Sequence, residues 1–297
     1  MVRVAVIGAG YLGRFHIEKF RKIDGCSLDF VCEVDKKSAQ DVKKEFNVNV
    51  IADYKSLAGK VDAVSIVTPT PTHFEIAEFF LNHNIHLFIE KPVTDDLSKA
   101  VKLLKKRKDH IIIQVGYIER FNPAFNFLKK HSKNPKSVIF RRKAPFSERG
   151  ADVDVVLDLM IHDIDLAMNI FKDQTAKILS VKGSKVFTKF NDIVHVVMGF
   201  GDSTAVFEIS RVSKSKERKI SVIEENIYIE ADLLNQSGYL LTSGKELSFD
   251  EGKKDILYEE LKSFIQAINK KNNSLVSLED GINSLKLAQT IIEKLER

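Results

Sequence analysis

The sequence has only two cysteines, Cys26 and Cys32, among 297 residues. They lie close together around one predicted strand, so we expect small core residues in a reducing compartment rather than a disulfide framework. No apolar run approaches the ~20 residues that a membrane-spanning helix needs. The first apolar run leads straight into a glycine turn, so we expect no signal peptide, a cytoplasmic protein and no membrane partner.

Positive and negative residues are nearly equal in number. Lys and Arg together number 46 against 41 Asp and Glu, which gives a formal net charge of +5. Nucleic-acid binding would need a concentrated basic face with aromatic residues, and the sequence shows none, so no nucleic-acid partner is predicted. The hydrophobic content of 44% is typical of a globular protein with a sizeable core, in one large or two ordinary domains.

The first thirteen residues, MVRVAVIGAGYLG, carry the strongest motif. The apolar run Val2–Ile7 predicts a strand buried on both faces, and a helix is predicted at residues 14–22. Gly8, Gly10 and Gly13 lie between them as G-x-G-x-x-G. In this context the glycines allow a tight turn, a close approach of backbone to a pyrophosphate, and close helix–strand packing. The helix N-terminus then offers N–H groups to the phosphates.

Glu33 follows the second apolar run, Leu28–Cys32, at the distance from the glycines that suits a ribose contact. A carboxylate there accepts hydrogen bonds from the adenosine ribose hydroxyls and repels a 2′-phosphate, so NAD is favoured over NADP. Lys36 and Lys37 lie close by and could accommodate a 2′-phosphate, which leaves NADP open. The alternative is that Glu33 or Asp35 only caps the helix that begins near Lys36.

Strands and helices alternate through the first third of the chain, which is the order of a doubly wound parallel sheet. The predicted strands are Val2–Ile7, Leu28–Cys32, Val48–Ile51, Ala63–Val67, His86–Ile89 and Ile111–Val115, and the later helices are Lys36–Phe46, His73–Asn82 and Leu97–Lys106. Ligands bind such sheets outside the carboxyl ends of the strands. Four segments are therefore expected on one rim: Gly8–Gly13, Glu33, Thr68–His73 and Glu90–Pro92.

Beyond about Phe121, strands follow one another almost without helices, which indicates an antiparallel sheet. These strands are predicted at Ser137–Phe140 (with Lys143 as the alternative end), Ala176–Val186, Ile193–Phe200, Thr204–Ser210, Lys219–Val222, Asn226–Glu230 and Gly238–Leu241, and helices at Val155–Phe171, Tyr258–Asn269 and Leu278–Leu295. The predicted fold class is α/β, with an N-terminal Rossmann domain at residues 1–119. An α+β domain with a large open, mostly antiparallel sheet is predicted at residues 120–297, and its last helix could pack back on the Rossmann domain.

Lys91 lies between Glu90 and Pro92, directly after a buried strand at the predicted rim. A lysine beside a nicotinamide can hydrogen-bond a substrate oxygen and stabilise it as it becomes alkoxide-like. The alternative is a solvated lysine in a loop that leads into a helix. In the segment that follows the fourth predicted strand, Thr68 and His73 are expected to contact the cofactor, with helix capping as the competing role.

Asp158 and His162 lie four residues apart, so in a helix they share one face. Asp158 can orient the imidazole and support its charged form, and His162 can take the proton from a hydroxyl as hydride leaves the same carbon. No metal site is predicted, because nearby Cys or further His ligands are missing. The alternative is a surface pair, with Asp163 and Asp165 on a solvated face.

Together these motifs resemble the glucose–fructose oxidoreductase, inositol dehydrogenase and rhizopine-catabolism (Gfo/Idh/MocA) family of NAD(P)-dependent oxidoreductases. The matching motifs are V-I-G-A-G-Y-L-G, T-P-T-P-T-H at Thr68–His73, E-K-P at Glu90–Pro92, D-x-x-x-H at Asp158–His162 and L-E-D-G at Leu278–Gly281. The resemblance implies that Lys91 and His162 are the catalytic pair, with Asp158 their partner. It also implies a cis peptide before Pro92 and a homodimer or homotetramer formed through the open sheet.

Within the family, V-G-Y-I-E-R-F-N-P (Val115–Pro123) and V-L-D-L-M-I-H-D-I-D-L (Val156–Leu166) resemble the branch that oxidises the 3-hydroxyl of UDP-N-acetylglucosamine. That resemblance implies a nucleotide-sugar substrate, whose diphosphate would suit a guanidinium group. The arginine candidates are Arg120, Arg141, Arg142 and Arg149. Arg141 and Arg142 are neighbours on a strand and should point to opposite faces, so at most one of them serves.

The sequence thus predicts two sets of binding residues. The cofactor set is Gly8, Gly10, Tyr11, Leu12, Gly13, Glu33, Thr68, Pro69, His73, Glu90, Lys91 and Pro92. The substrate set is Lys91, Tyr117, Arg120, Arg149, Asp158 and His162, although Tyr117 could equally only pack there. Two alternatives stay open, namely a dehydrogenase of a free sugar, inositol or other polyol, and a non-catalytic NAD(P)-binding sensor. Asp154, Val155 and Met160 stand where many family members have glycines, which weakens the transfer of an inositol or simple-sugar substrate.

Overall fold

The computed structural model describes residues 1–172 and 174–296. Contacts divide the chain into two compact units. The N-terminal unit comprises Met1–Ile118 and Asp255–Asn283, and the second unit comprises Glu119–Lys254 and Ser284–Arg297. Arg297, the last residue of the predicted second domain, lies outside the described residues.

The N-terminal unit is built on a parallel sheet. Its strands are β1 (Val2–Ile7), β2 (Cys26–Cys32), β3 (Asn49–Ile51), β4 (Ala63–Ile66), β5 (His86–Glu90) and β6 (Ile113–Gly116). The strand order is β3-β2-β1-β4-β5-β6, and every neighbouring pair is parallel. The chain therefore runs outward from β1 and restarts at β4, which places the switch point of a doubly wound sheet between these two strands. This confirms the predicted Rossmann fold.

Helices connect most of these strands. They are α1 (Tyr11–Phe20), α2 (Lys36–Phe46), α3 (His73–Asn82) and α4 (Leu97–Lys106). The bounds of α2, α3 and α4 agree with the prediction, because each helix has an apolar stripe and because Asp35 and Asp96 cap α2 and α4. The first helix begins at Tyr11 rather than Arg14, since Gly10 is its N-cap and the helix starts inside the glycine motif.

The second unit contains a second sheet. Its strands are β7 (Ser137–Lys143), β8 (Ala176–Ser184), β9 (Ile193–Phe200), β10 (Ser203–Ser210), β11 (Glu217–Glu224), β12 (Ile227–Asp232), β13 (Ser237–Thr242) and β14 (Lys245–Asp250). The order is β14-β13-β12-β11-β7-β10-β9-β8. In this part of the described chain β7 and β10 pair in parallel, and the other neighbours are antiparallel. The predicted large, mostly antiparallel sheet is confirmed.

Two elements of the second unit are not predicted from the sequence, and one differs in form. The helix α5 (Pro123–His131) begins with Asn122 as N-cap and proline at its first position, a start signal that the prediction passed over. The strand β14 is an exposed edge strand without a strong apolar pattern. The helix predicted at Val155–Phe171 consists of a π-helical turn, Val156–Met160, followed by α6 (Ile161–Ile170).

Two helices, α7 (Ile256–Lys270) and α8 (Leu278–Leu295), come last in the chain. The structure differs from the predicted division in that residues 255–283 group with the N-terminal unit. The reason is that Leu261 and Phe264 of α7 join the apolar core around β1 and α1. Among the described residues, no helix is long and apolar enough to cross a membrane.

Candidate active site

The glycine loop, Gly8–Gly13, connects β1 to α1. Gly8 has a φ of +93°, and a Cβ there would lie 2.9 Å from the Val67 carbonyl oxygen. A Cβ at Gly13 would overlap the Gly8 carbonyl oxygen, whereas none of the described residues has an atom within 4 Å of the corresponding position at Gly10. The space beside Gly10 and the absence of a side-chain N-cap on α1 suit a pyrophosphate at this helix N-terminus. These residues therefore fit the dinucleotide that the motif predicts.

Tyr11 and Leu12 form the first turn of α1 beside this loop. The Tyr11 side chain is 68% exposed, and its ring meets that of Phe15 edge-on at 5.2 Å. Leu12 is partly buried. Their contact with a cofactor stays a prediction.

Glu33 follows β2, and backbone N–H groups fix its carboxylate beside the glycine loop. Its Oε2 accepts a hydrogen bond from the Ala9 N–H at 2.8 Å, and its Oε1 accepts one from the Asp35 N–H at 2.9 Å. Each oxygen keeps acceptor capacity for a ribose hydroxyl. Asp35 is the residue that caps α2, by accepting from the Ser38 N–H at 2.7 Å. Helix capping therefore does not account for Glu33.

Lys91 directly follows β5, at the same rim of the parallel sheet as Gly8 and Thr68. They share this rim because β4 pairs in parallel with both β1 and β5, so the carboxyl ends of the three strands lie on one side. Lys91 is partly buried. The peptide bond between Lys91 and Pro92 is cis, as the family resemblance implies.

A buried polar chain lies behind Lys91 and is not predicted from the sequence. The Glu90 carboxylate accepts a hydrogen bond from the Lys91 N–H at 3.3 Å, and its other oxygen lies 3.1 Å from His16 Nε2. This second contact has an ion-pair distance but is poorly aligned for a hydrogen bond. His16 Nδ1 lies 2.9 Å from Ser65 Oγ, and both residues are fully buried. His16 lies on the buried face of α1 with Gly13, Ile17 and Phe20. A polar residue on that face is the sequence signal that could have predicted this set of buried polar contacts.

Replacing His16 with leucine is expected to destabilise the protein and slow turnover. Glu90 and Ser65 would lose a buried partner, so the free energy of unfolding should fall by about 1–3 kcal/mol. Because Glu90 binds the Lys91 backbone, kcat should fall as well. Urea unfolding and steady-state kinetics test both effects, with the exposed His83→Leu as control. Lower stability with unchanged kcat would confine His16 to a structural role.

His73 links two loops at the rim. Its Nε2 donates to the Thr68 carbonyl oxygen at 2.8 Å, and its Nδ1 lies 3.1 Å from the Pro92 carbonyl oxygen. Burial lowers the pKa of His73, which favours the neutral imidazole with a single N–H. Thr72 makes no side-chain cap to α3; its hydroxyl lies within hydrogen-bond distance of Thr68 Oγ1 and the Pro69 carbonyl. Direct cofactor contacts by these residues stay predictions, whereas the structure shows the buried His73 holding the loops together.

Asp158 lies in the π-helical turn and His162 in the first turn of α6. Both are partly exposed, although His162 Nδ1 itself is buried. A Cβ at Gly150 would lie 2.8 Å from the Asp158 carboxylate, so the loop after β7 packs directly on this group. A π-helical turn is rare and often found at functional sites. Asp158 therefore lies in a π-helical turn, and not in the regular α-helix that its spacing from His162 predicts.

Asp163 and Asp165 are buried, which corrects the alternative that placed them on a solvated face. Asp163 accepts two hydrogen bonds from Arg142, at 2.7 and 2.8 Å. Arg142 also lies 3.3 Å from Glu119. Burial lowers the pKa of Arg142, but the two carboxylates outweigh burial and raise it overall. A charged network inside the second unit thus anchors α6, the helix that carries His162.

The arginines that are candidates for a diphosphate have different surroundings. Arg120 is 8% exposed and donates to both oxygens of Asp165, at 2.6 and 2.8 Å, and its contact with substrate stays a prediction. Arg141 is partly exposed on the other face of β7 from Arg142, as predicted, and Arg149 is exposed. Tyr117 is 1% exposed, which favours the alternative that it only packs there.

Arg211 and Asp192 tie together the loops that surround Asp158, and the sequence pattern does not predict them. Arg211 Nε donates to Asp192 at 2.8 Å, and its NH1 group donates to the carbonyl oxygens of Gly150 and Val153 at 2.7 and 2.8 Å. The second Asp192 oxygen accepts from the backbone N–H groups of residues 186–188. Asp154 adds a further link: its carboxylate accepts from the Val156 N–H and from the backbone and side chain of Asn191.

The Asp192→Asn variant should lose stability in a pH-dependent way. Burial raises the pKa of Asp192, but backbone N–H groups and Arg211 lower it more strongly, well below its ordinary value. Such a carboxylate contributes stability that is present above its unfolded pKa of about 3.9 and is lost as pH falls toward the native pKa. The stability gap between wild type and variant should therefore be full at neutral pH and shrink below about pH 4. Urea unfolding across this range tests the effect, and a constant gap would contradict it.

Comparison with known proteins places this geometry in a family. Residues 2–117 match the family model described as "Oxidoreductase family, NAD-binding Rossmann fold". The chain is 32% identical to the UDP-N-acetylglucosamine 3-dehydrogenase of Acidithiobacillus ferrooxidans over 280 residues, covering 90% of this chain and 88% of that protein. The chain belongs to the Gfo/Idh/MocA oxidoreductase family. It is an NAD(P)-dependent oxidoreductase that acts on a CH–OH group.

A solved structure and a second relative agree with this assignment. A solved structure of the A. ferrooxidans enzyme matches with a TM-score of 0.92 and 31% identity, covering 99% of this chain and 98% of that chain. The myo-inositol 2-dehydrogenase of Thermotoga maritima is 27% identical over 322 residues, covering 99% of this chain and 96% of that protein. Both the nucleotide-sugar and the inositol enzymes are thus related to this chain along nearly its whole length.

Proposed function

We propose that this enzyme oxidises the 3-hydroxyl of UDP-N-acetylglucosamine to the 3-keto sugar, with NAD as the oxidant. The observation that carries the proposal is the 32% identity to a UDP-N-acetylglucosamine 3-dehydrogenase over 90% of the chain. The inositol enzyme of T. maritima matches at lower identity, and inositol is therefore the second candidate substrate.

The chain's own residues supply binding and proton transfer in this proposal. His162 accepts the proton of the sugar hydroxyl, and Asp158 orients the imidazole and supports its charged form. Lys91 donates to the same oxygen as negative charge develops on it. Gly8–Gly13 and Glu33 hold the pyrophosphate and the adenosine ribose. When bound, NAD would supply the hydride acceptor.

The preference for NAD over NADP is proposed from the fixed Glu33 carboxylate. In the Glu33→Gln variant the negative charge and one carboxylate acceptor are lost, so the Kd for NAD should rise about tenfold or more. The Kd for NADP should rise less or fall, because the repulsion of a 2′-phosphate is removed. Fluorescence titration with both nucleotides measures this, with Glu45→Gln on the exposed surface of α2 as control. Tighter binding of NADP than NAD by the wild type would contradict the preference.

The proposed substrate is tested by mixing the protein with NAD and a panel of UDP-sugars, free sugars and inositols. Nucleotide reduction is followed by absorbance, and mass spectrometry detects the loss of two hydrogen atoms from each compound. Oxidation of UDP-N-acetylglucosamine alone supports the proposal. Oxidation of inositol or a free sugar without any UDP-sugar would reject it in favour of the second candidate.

We also propose that the open face of the second sheet joins copies of this chain into a dimer or tetramer. Ile223, Tyr228 and Leu241 lie in register across β11, β12 and β13 on this face, and Ile223 and Leu241 are 41% and 39% exposed. Apolar side chains aligned on one sheet face are typical of a contact surface. Light scattering after gel filtration should give a dimer or tetramer, and a monomer at micromolar concentration would reject the interface.

A further inference from the structure

Two exposed phenylalanines meet on loops that border Asp158. Phe146 lies on the loop after β7, and Phe187 lies on the loop between β8 and β9. Their ring centroids are 5.1 Å apart, with an interplanar angle of 57°. The side chains are 41% and 66% exposed. Exposed apolar side chains that meet on loops are candidates for a binding surface, because binding residues are often carried on loops.

Buried charges hold this aromatic pair in place. Asp192 accepts a hydrogen bond from the Phe187 N–H at 2.7 Å, and Arg211 donates to Thr188 Oγ1 at 2.9 Å. The same arginine donates to the Gly150 carbonyl on the Phe146 loop at 2.7 Å. Both loops are therefore fixed by one ion pair, and little ordering is needed when a ligand binds on them.

The two loops also reach the predicted catalytic turn. Gly150 packs against the Asp158 carboxylate, where a Cβ would lie only 2.8 Å away. On the other loop, the Asn191 carbonyl accepts from the Val155 N–H at 3.1 Å, directly before the π-helical turn. The loops that carry Phe146 and Phe187 are thus in direct contact with the π-helical turn that carries Asp158.

The surrounding charge suits an anion. A third loop, residues 211–216, joins the Phe146 loop through a hydrogen bond from the Ser213 N–H to the Ala144 carbonyl at 2.9 Å. Across the three loops the exposed basic side chains outnumber the acidic ones. The basic residues are Arg149, Lys185, Lys189, Lys214 and Lys216, and the acidic ones are Glu148 and Asp152.

We propose that Phe146 and Phe187 form the platform for the uracil ring of the nucleotide-sugar, with the basic side chains of these loops facing its diphosphate. The base stacks on Phe187, the more exposed ring, and meets Phe146 at its edge. The ligand class is a pyrimidine nucleoside diphosphate, and the inference rests on the proposed UDP-sugar substrate. Base–aromatic stacking accounts for about a tenfold change in affinity or more when an aromatic side chain is removed.

The test compares the wild type with the Phe146→Ala/Phe187→Ala double variant. The KM for UDP-N-acetylglucosamine should rise about tenfold or more, and kcat should change little, because the pair touches no reacting atom. Binding of UDP alone, measured by calorimetry, should weaken by the same factor while NAD binding is unchanged. Phe187→Trp should retain UDP affinity. Leu275→Ala, which removes another exposed apolar side chain, 57% exposed in the N-terminal unit, is the control.

The outcomes separate the platform from the proposed function. Turnover of UDP-N-acetylglucosamine with the same KM in wild type and double variant would overturn the platform and leave the function standing. UDP binding by the wild type that is lost in the variant would support the platform even if a different UDP-sugar is oxidised. Failure of the wild type to bind UDP would overturn it. An unchanged KM with a changed oligomer mass would instead assign the pair to a contact between copies.

Discussion

Replacement of His162 by alanine is expected to lower kcat by about 10²–10⁴-fold, because the substrate hydroxyl loses the group that accepts its proton. Its position supports this role: His162 lies in the first turn of α6, behind a π-helical turn that carries Asp158. The imidazole must be neutral to accept a proton, so the wild-type rate should decline toward acid pH and the variant should lose this limb.

Steady-state kinetics from pH 5 to 9 measures both effects. NAD binding should be unchanged in the His162→Ala variant, because the residues predicted to hold NAD belong to the N-terminal unit. His195→Ala, on an exposed position of β9, is the matched control. A folded His162→Ala variant with wild-type turnover would show that another group is the base.

Replacement of Arg142 by methionine is expected to lower the free energy of unfolding by about 3–5 kcal/mol, because Asp163 and Glu119 would remain buried without their cation. Arg142 is 3% exposed and makes two hydrogen bonds to Asp163. Since Asp163 is the residue after His162, misplacement of the imidazole should lower kcat as well.

Lys143 gives a matched control on the same strand. It pairs with Glu217 at 3.0 Å, but both side chains are about one third exposed, at 35% and 30%. A solvent-exposed ion pair contributes roughly 0–1 kcal/mol, so Lys143→Met should change stability little. Urea unfolding of the two variants measures the difference, and equal losses would contradict the buried-charge account.

Much of the N-terminal unit could be predicted because its signals are local. The buried run of β1, the glycines and the apolar stripes of α2 and α3 each lie within a short window of sequence. Glu33 was identified for the same reason, since its spacing from the glycines follows from strand and helix lengths in a βαβ unit. The structure adds that backbone N–H groups of Ala9 and Asp35 fix the carboxylate.

The buried polar groups could not be predicted because their partners are distant in sequence. Arg120 and Asp165 are 45 residues apart, and His16 and Ser65 are 49 apart. Charged residues are rarely buried unless paired, so without the partner in view a solvated face is the better prediction for Asp163 and Asp165. The π-helical turn escapes prediction because such turns are rare and occur inside α-helices, so the apolar run of Val156–Met160 is first interpreted as part of an α-helix.

Hydride transfer from C3 of the sugar is the central claim, and isotope labelling tests it most directly. The protein would be incubated with NAD and UDP-N-acetylglucosamine that carries deuterium at C3, and both products analysed by mass spectrometry. The account predicts that the deuterium appears in the reduced nucleotide and that the sugar product has lost it together with the hydroxyl proton. Reduced nucleotide without deuterium, or no reduction while an inositol is oxidised instead, would contradict the account.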